Sequence, residues 1–215
     1  QQEGRGDDLV LLHGWGLHGG IWDPIVPALA RDWRVTRIDL PGHGRSPWPD
    51  QGAPSLDELM SGLVAAAPRR AVWLGWSLGG MLALRLAARL PQRVRGLVLV
   101  AATPKFVEGP DWPHGMERTL LEDFRNALEN DYARTLMRFL ALQSRPGDHA
   151  AQEMRVLRRA VFAHGHPQRE GLSFGLRLLE EMDLRRELTA VQCSSLWVTG
   201  DRDVLVPHEA AQAAA

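Results

Sequence analysis

The chain has 215 residues, of which 45% are hydrophobic, and a formal net charge of −1 at pH 7. This length favours one domain with a substantial core, and the near-neutral charge argues against nucleic acid as the main ligand, because phosphate binding requires a basic excess. The single cysteine excludes an intrachain disulfide. The sequence also has no recognisable signal peptide and no apolar run of membrane-spanning length. Together these features predict a cytoplasmic protein without a membrane partner.

The first apolar stretch, residues 9–12, predicts a buried strand that leads into the glycine-rich sequence His-Gly-Trp-Gly at residues 13–16. Glycines in such a loop let backbone N–H groups approach a ligand, and a loop of this kind can provide half of an oxyanion hole. We predict that the amide of Trp15 is this donor. His13 could be a catalytic base, but we favour a structural histidine that hydrogen-bonds within the loop.

A second strand is predicted at residues 34–40, and it ends in the sequence Pro-Gly-His-Gly at residues 41–44. Asp39 and His43 lie in or beside this loop. They could belong to a catalytic triad, but they follow the wrong strand for one. We interpret both as residues that order the loop.

Residues 71–90 have the most informative pattern. An apolar strand at residues 71–74 leads into Gly-Trp-Ser-Leu-Gly, which has the form G-x-S-x-G, and a helical pattern starts at Leu78. Strand, motif and helix in this order are typical of a nucleophile elbow, in which the serine occupies a strained turn. The alternative is an ordinary glycine-rich turn. We predict Ser77 as the nucleophile and the amide of Leu78 as the second oxyanion donor.

Helices alternate with these strands. One is predicted at residues 21–30, and another begins at a capping box formed by Ser55 and Glu58 and extends to about residue 67. A further apolar strand is predicted at residues 96–102. The alternation predicts an α/β protein with a mostly parallel sheet flanked by helices.

Residues 104–195 contain no convincing strand and predict a helical cap inserted between the two parts of the core, residues 1–103 and 196–215. A connection this long is unusual. Helices inserted where strands end cover the active site, exclude water and set specificity. We predict the helices of this cap at residues 116–129, 131–143, 149–163 and 168–181.

Charge is unevenly distributed over the cap. Residues 104–130 carry three basic and six acidic side chains, whereas residues 131–170 carry seven arginines and four acidic side chains. Such a charged stretch usually indicates a solvent-exposed helix surface. The second interpretation is a docking face for an acidic protein partner.

A late strand at residues 196–200 is followed by Asp201 and Asp203. A carboxylate after such a strand fits the acid of a triad with the chain order Ser…Asp…His. We predict that Asp203 is this acid.

The sequences HGWG, LPGHGRS, GWSLGGM and GDRDVLVP together resemble the α/β-hydrolase superfamily. Within it, the segments VLLHGWGL (10–17), WLGWSLGG (73–80) and RFLALQ (138–143) resemble the pimeloyl-acyl-carrier-protein methyl ester esterases of biotin synthesis. The resemblance implies a serine carboxylesterase with Ser77 as nucleophile, Asp203 as acid and the amides of Trp15 and Leu78 as oxyanion hole. It implies no metal or organic cofactor.

The same resemblance implies where the substrate binds. The ester lies under the cap, and we expect it to contact Trp15, Trp76, Leu78, Phe139 and Gln143. In that family, cap arginines receive the acidic acyl-carrier protein, which here favours the docking interpretation for Arg134, Arg138, Arg155 and Arg159. We expect the enzyme to be a monomer.

The catalytic histidine of that family follows a further strand well beyond the acid, and here the sequence departs from the pattern. Only twelve residues, 204–215, follow Asp203. His208 lies too close and should begin the next helix, and the other seven histidines precede the acid. We therefore expect the histidine, a last strand and a last helix to lie beyond residue 215, and the missing initial methionine leads us to expect an incomplete N-terminus as well.

Two other functions remain open. Another small-ester or C–C bond hydrolase of the same fold would differ only in its cap and pocket, and a substrate panel would distinguish it. A non-catalytic binding protein on a hydrolase scaffold has the absent histidine as its only support. A histidine further along the gene would exclude it.

Overall fold

A mostly parallel sheet forms the centre of the molecule. The computed structural model describes residues 1–142, 152, 155, 158–159, 161–201 and 203–214. Their strands are β1 (Gln2–Glu3), β2 (Asp7–Leu12), β3 (Trp33–Ile38), β4 (Ala71–Trp76), β5 (Val94–Val100) and β6 (Ser195–Val198). They pair in the order β1-β3-β2-β4-β5-β6. Every neighbouring pair is parallel except β1 with β3, so the expected fold class is confirmed.

Helices connect these strands and follow the last one. They are α1 (Val26–Leu29), α2 (Leu56–Ala66), α3 (Leu78–Arg89), α4 (Arg118–Asn130), α5 (Tyr132–Leu142), α6 (Arg169–Glu181) and α7 (His208–Ala214). Short 3₁₀ helices lie at Gly19–Trp22, Pro91–Arg93 and Arg185–Ala190. Within the described part of the chain, no helix has the length and apolar character needed to cross a membrane.

The two faces of the sheet are buried unequally. In β4, the odd-numbered residues are fully buried and the even-numbered residues are partly buried, as expected for side chains that alternate between two faces. The odd-numbered side belongs to the large core that includes α3, whose Leu82 has no exposed surface. The other side is covered by a small cluster of Leu9, Leu11, Trp22, Val26 and Val35.

The predicted capping box of α2 is confirmed. The hydroxyl of Ser55 accepts a hydrogen bond from the N–H of Glu58 at 3.2 Å, and the Glu58 carboxylate accepts one from the N–H of Ser55 at 2.7 Å. These two bonds satisfy amides that the first helical turn leaves without partners. They fix where α2 begins.

The single helix predicted at residues 21–30 is wrong. The structure has the 3₁₀ helix Gly19–Trp22, a turn, and the four-residue α1. Pro24 and Pro27 lack the N–H that a continuous α-helix requires, and each ring obstructs the preceding turn. The prediction placed Pro24 in the first turn, where proline is tolerated, and did not weigh Pro27.

The connection from β5 to β6 contains α4, α5 and α6, close to three of the four helices predicted in the cap. The predicted helix at residues 149–163 lies largely outside the described residues. β6 begins at Ser195, so the last residue assigned to the cap belongs to the core sheet. α4 and α6 are joined by ion pairs of Arg118 and Arg125 with Glu180.

Candidate active site

The loops after β2 and β4 meet at one edge of the sheet. These strands are parallel neighbours, with Leu12 opposite Gly75, so their carboxyl ends lie side by side. The approach is close: a Cβ placed at Gly14 would lie 3.5 Å from the Cβ of Ser77, and one at Gly79 would lie 2.6 Å from the carbonyl oxygen of Leu12. A side chain at residue 79 would therefore collide with the backbone of the first loop, so Gly79 is required for the two loops to touch.

Ser77 has the strained backbone of a nucleophile elbow. Its φ is 52° and its ψ is −116°, a conformation that costs a non-glycine residue of the order of 1–3 kcal/mol. The turn is fixed by a 2.9 Å hydrogen bond from the Ser77 N–H to the carbonyl of Val100, and by α3, which starts at the next residue. The Ser77 side chain makes no capping bond to that helix, so its hydroxyl remains available for chemistry.

Two backbone amides beside Ser77 are open to an oxyanion. Leu78 is the first residue of α3, whose N-terminus has a positive partial charge. Trp15 lies in the loop that touches the elbow. Within the described part of the chain, neither amide donates to a protein acceptor. Amides held in this way stabilise the negative oxygen of a tetrahedral intermediate.

His13 is structural, as predicted. Its Nε2 accepts a hydrogen bond from the N–H of Leu40 at 2.9 Å, so the proton is on Nδ1, which donates to the carbonyl of Gly14 at 2.8 Å. Burial, together with the nearby His43, lowers the pKa of His13 to about 3. The ring is therefore neutral at physiological pH and has no nitrogen left to serve Ser77.

Asp39 and His43 also order their loop. The two carboxylate oxygens of Asp39 accept the N–H groups of Gly19 and Arg45; burial opposes ionisation, but these bonds prevail and the pKa of Asp39 is lowered. His43 donates from Nδ1 to the carbonyl of Pro41 at 2.9 Å, and burial lowers its pKa to about 4.

Asp203 has a different arrangement. Its Oδ1 accepts the N–H groups of Leu205 at 2.9 Å and Val206 at 3.0 Å, while no donor among the described residues contacts Oδ2. Asp201 is exposed and makes no comparable bonds there. The loop follows β6, whose partner β5 is also the partner of β4, so Asp203 lies at the same edge as Ser77 with one oxygen oriented and one free.

Cap residues cover the loop of Trp15. The Trp15 indole N–H donates to the carbonyl of Leu172 in α6 at 2.8 Å, and its ring meets Phe139 of α5 edge-on, with centroids 4.8 Å apart. A Cβ at Gly175 would lie 2.6 Å from the Trp15 ring and 3.4 Å from the side chain of Leu78. Three of the five predicted substrate contacts, Trp15, Leu78 and Phe139, are thus gathered in one place.

The other two predicted substrate contacts are not in this group. The ring of Trp76 is half-buried and packs edge-on against Trp22, with centroids 6.3 Å apart. Gln143 lies outside the described residues.

The sequence offered no sign of Leu172 as a partner of Trp15, because 157 positions separate them. A buried indole N–H generally requires an acceptor, and this rule alone indicated that Trp15 would have one.

Four cap arginines of the predicted docking face are exposed: Arg134, Arg138, Arg155 and Arg159. The guanidinium of Arg138 lies 5.2 Å from the ring centroid of Phe124. No described carboxylate forms an ion pair with any of the four, in contrast with Arg118 and Arg125, which share Glu180.

A family model described as the α/β hydrolase fold matches residues 8–215 of this chain. The chain belongs to this family. The α/β hydrolase is similar to the pimeloyl-[acyl-carrier protein] methyl ester esterase of Xanthomonas oryzae pv. oryzae (strain MAFF 311018), with 50% identity over 99% of this chain and 83% of the relative. For the enzyme of the same name from Stenotrophomonas maltophilia (strain K279a), the identity is 49% over 99% and 81%.

Solved structures agree with this assignment. A hydrolase from Pseudomonas aeruginosa PA01 matches with a TM-score of 0.82 and 25% identity over 99% of this chain and 79% of that one. The enol-lactonase of Burkholderia xenovorans LB400 matches with a TM-score of 0.84 over 100% and 82%, at 23% identity, which supports the fold alone. The α/β hydrolase fold therefore includes both the core and the helices inserted between β5 and β6.

Proposed function

We propose that this α/β hydrolase is a serine carboxylesterase that hydrolyses the methyl ester of pimeloyl-acyl-carrier protein in biotin biosynthesis. The observation that carries the reaction class is the strained Ser77, with the unbonded amides of Trp15 and Leu78 beside it. The substrate is supported by the esterases of that name, which are about half identical to this chain over almost all of its length.

Acyl transfer follows from this geometry. The Oγ of Ser77 attacks the ester carbonyl carbon as a base removes its proton, and the carbonyl oxygen becomes an oxyanion. The amides of Trp15 and Leu78 stabilise it, and one such donor contributes about 2.7–4 kcal/mol. The intermediate expels methanol, which takes the proton from the base. Water then hydrolyses the acyl-enzyme and releases the carboxylate. No metal or organic cofactor takes part in this scheme.

The general base in this proposal is a histidine other than His13 and His208. Both nitrogens of His13 are occupied, and His208 begins α7 beside Glu209 with an exposed side chain. A base whose ring N–H donates to the free Oδ2 of Asp203 would be held in the correct tautomer, and its cation would be stabilised.

The cap supplies specificity in this proposal. Trp15 and Phe139 are each only 1% exposed, so an acyl chain reaches them only when the cap moves to admit it. Leu78, Trp76 and Gln143 complete the proposed contacts. On the outer side, the exposed Arg134, Arg138, Arg155 and Arg159 attract the acidic carrier protein. We also propose a cytoplasmic monomer that binds neither nucleic acid nor membranes.

The decisive experiment uses the full-length protein and the methyl ester of pimeloyl-acyl-carrier protein. Mass spectrometry of the carrier should show loss of the methyl group with the wild type and none with Ser77→Ala. A panel of free esters and C–C bond substrates runs beside it. Faster turnover of one of those would identify a different hydrolase, and carrier binding without turnover would indicate a non-catalytic protein.

A further inference from the structure

The side chain of Trp15 joins the oxyanion loop to two helices of the cap. Its indole N–H donates to the carbonyl of Leu172 in α6 at 2.8 Å, and its ring contacts Phe139 in α5. Trp15 is 1% exposed, so the indole has no alternative partner in solvent. The position of the side chain therefore depends on where the cap lies.

The backbone of the same loop also touches the cap. A Cβ at Gly16 would lie 2.2 Å from the side chain of Leu136 in α5, and Gly16 has a φ of +71°. From the opposite side, a Cβ at Gly175 of α6 would lie 2.6 Å from the Trp15 ring. Neither the contact with Leu136 nor the contact with Gly175 leaves room for an additional methyl group. A movement of α5 or α6 therefore changes the contacts of the oxyanion loop directly.

We propose that the indole of Trp15 is a positioning residue, which aims the Trp15 amide at the oxyanion only while the cap is closed. The inference rests on the proposed function, because it takes this amide as one of the two oxyanion donors. The backbone amide and the side chain share one Cα in a loop that bends around glycines. Fixing the indole against α5 and α6 therefore restricts the orientation of the amide.

This arrangement couples substrate entry to catalysis. An acyl chain can reach Trp15 and Phe139 only when the cap moves away, and that movement separates the indole from Leu172. The oxyanion hole is complete again when the cap closes over the bound ester. Ligands that prevent closure bind without fast turnover, and the effect falls on kcat rather than on KM.

The test changes the contact from each side in the complete enzyme. Trp15→Phe keeps an aromatic ring but removes the N–H bonded to Leu172. Gly175→Ala leaves Trp15 intact and pushes a methyl group against its ring from α6. Trp48→Phe is the matched control, since Trp48 also packs on α6, against Phe174 with centroids 5.6 Å apart, away from the oxyanion loop.

The substrate is p-nitrophenyl acetate, and an arylboronic acid serves as transition-state analogue because its tetrahedral adduct with Ser77 places an oxygen in the oxyanion hole. Both test variants should lower kcat about tenfold or more, with KM within about twofold, since removal of a whole donor costs about 10²–10³. Boronate affinity should fall by the same factor. Trp48→Phe should change neither.

Several outcomes would overturn the proposal: kcat within twofold of wild type in both test variants, a rise in KM alone, or an equal loss in Trp48→Phe. Thermal unfolding shows whether each variant is folded, and Gly175→Ala decides the matter if Trp15→Phe does not fold. The substrate carries no acyl-carrier protein, so an incorrect carrier assignment would leave these results unchanged. Activity in Ser77→Ala would instead refute the proposed mechanism itself.

Discussion

The loop after β3 and the loop after β6 both present an aspartate at the same edge of the sheet, yet they differ in what they leave unbonded. In the first, each oxygen of Asp39 accepts a backbone N–H, and the adjacent His13 uses both ring nitrogens. In the second, Asp203 uses one oxygen for two backbone amides and keeps the other free of donors from the described residues.

In the proposed mechanism, this difference separates groups that stabilise loops from groups that act in catalysis. A polar group whose hydrogen bonds are all made to nearby backbone groups stabilises the loops it joins and cannot orient a substrate or a base. A group held by some bonds and left open at one atom is preorganised for a partner. The hydroxyl of Ser77 and the amides of Trp15 and Leu78 belong to this second class, and so does Asp203.

The largest expected effect follows from removing the Ser77 hydroxyl. In the full-length protein, Ser77→Ala should lower kcat/KM by about 10⁴ or more, because the nucleophile is removed while the oxyanion amides remain. Ester hydrolysis measures the loss, and circular dichroism should show an unchanged fold. A fluorophosphonate should label Ser77 in the wild type; labelling of any other residue contradicts the assignment.

The two aspartates should respond to the same substitution in opposite ways. Asp203→Asn should lower kcat by about 10⁴ with little change in stability, because an amide cannot orient the base correctly. Asp39→Asn should leave kcat within about tenfold but lower the free energy of unfolding by about 1–3 kcal/mol, because it weakens the bonds from the N–H groups of Gly19 and Arg45.

Chemical denaturation and kinetics on both variants measure this contrast, with Asp201→Asn as the control for Asp203. A severe loss of kcat in the Asp201 variant and none in the Asp203 variant would show that the other carboxylate is the acid. Equal losses of stability in Asp39→Asn and Asp203→Asn would remove the distinction drawn here.

The same comparison applies to cap arginines, at a smaller magnitude. Replacing Arg134, Arg138, Arg155 and Arg159 by alanine should raise KM for the carrier-bound ester about tenfold at low salt, because these exposed charges attract the acidic partner. The effect should shrink at high salt. Hydrolysis of a free methyl ester should hardly change, because its path requires no partner surface.

Arg118→Ala with Arg125→Ala provides the control for that series, because both arginines are already paired with Glu180. This pair of substitutions should leave KM for the carrier ester unchanged. Equal losses on the carrier ester and the free ester in the four-arginine variant would mean that those arginines support the cap instead.

The last expected effect concerns stability rather than activity, namely the acid dependence of stability contributed by His13. Its pKa is lowered to about 3 in the folded chain from about 6.5 in an unfolded one, so between these values the unfolded state binds more protons. The contribution of neutral His13 to the free energy of unfolding is therefore fully present above about pH 6.5, and it falls as the pH drops towards 3. In His13→Gln, unfolding free energy measured against pH should have a shallower slope over this window. An unchanged slope would show that His13 does not titrate on unfolding.

Local patterns were sufficient for most of the elements and for the strained turn that carries Ser77. G-x-S-x-G between a strand and a helix predicted the backbone strain found at Ser77, and the capping box of Ser55 and Glu58 was found as expected. The helix at residues 21–30 failed for a local reason, since two prolines interrupted it. Such features depend on residues within a few positions of one another, which is the distance over which sequence patterns are informative.

The sequence by itself predicted the α/β alternation, the strand-turn-helix setting of Ser77 and the candidacy of Asp203 as the acid, because each prediction depends on residue type and short-range order. Only the tertiary structure decided which polar groups are satisfied and which are left open. That property depends on contacts between distant residues, such as His13 with Leu40, or Trp15 with Leu172. A hydrogen bond across 157 positions exists only because the sheet and cap bring its two ends together, and no local pattern records it.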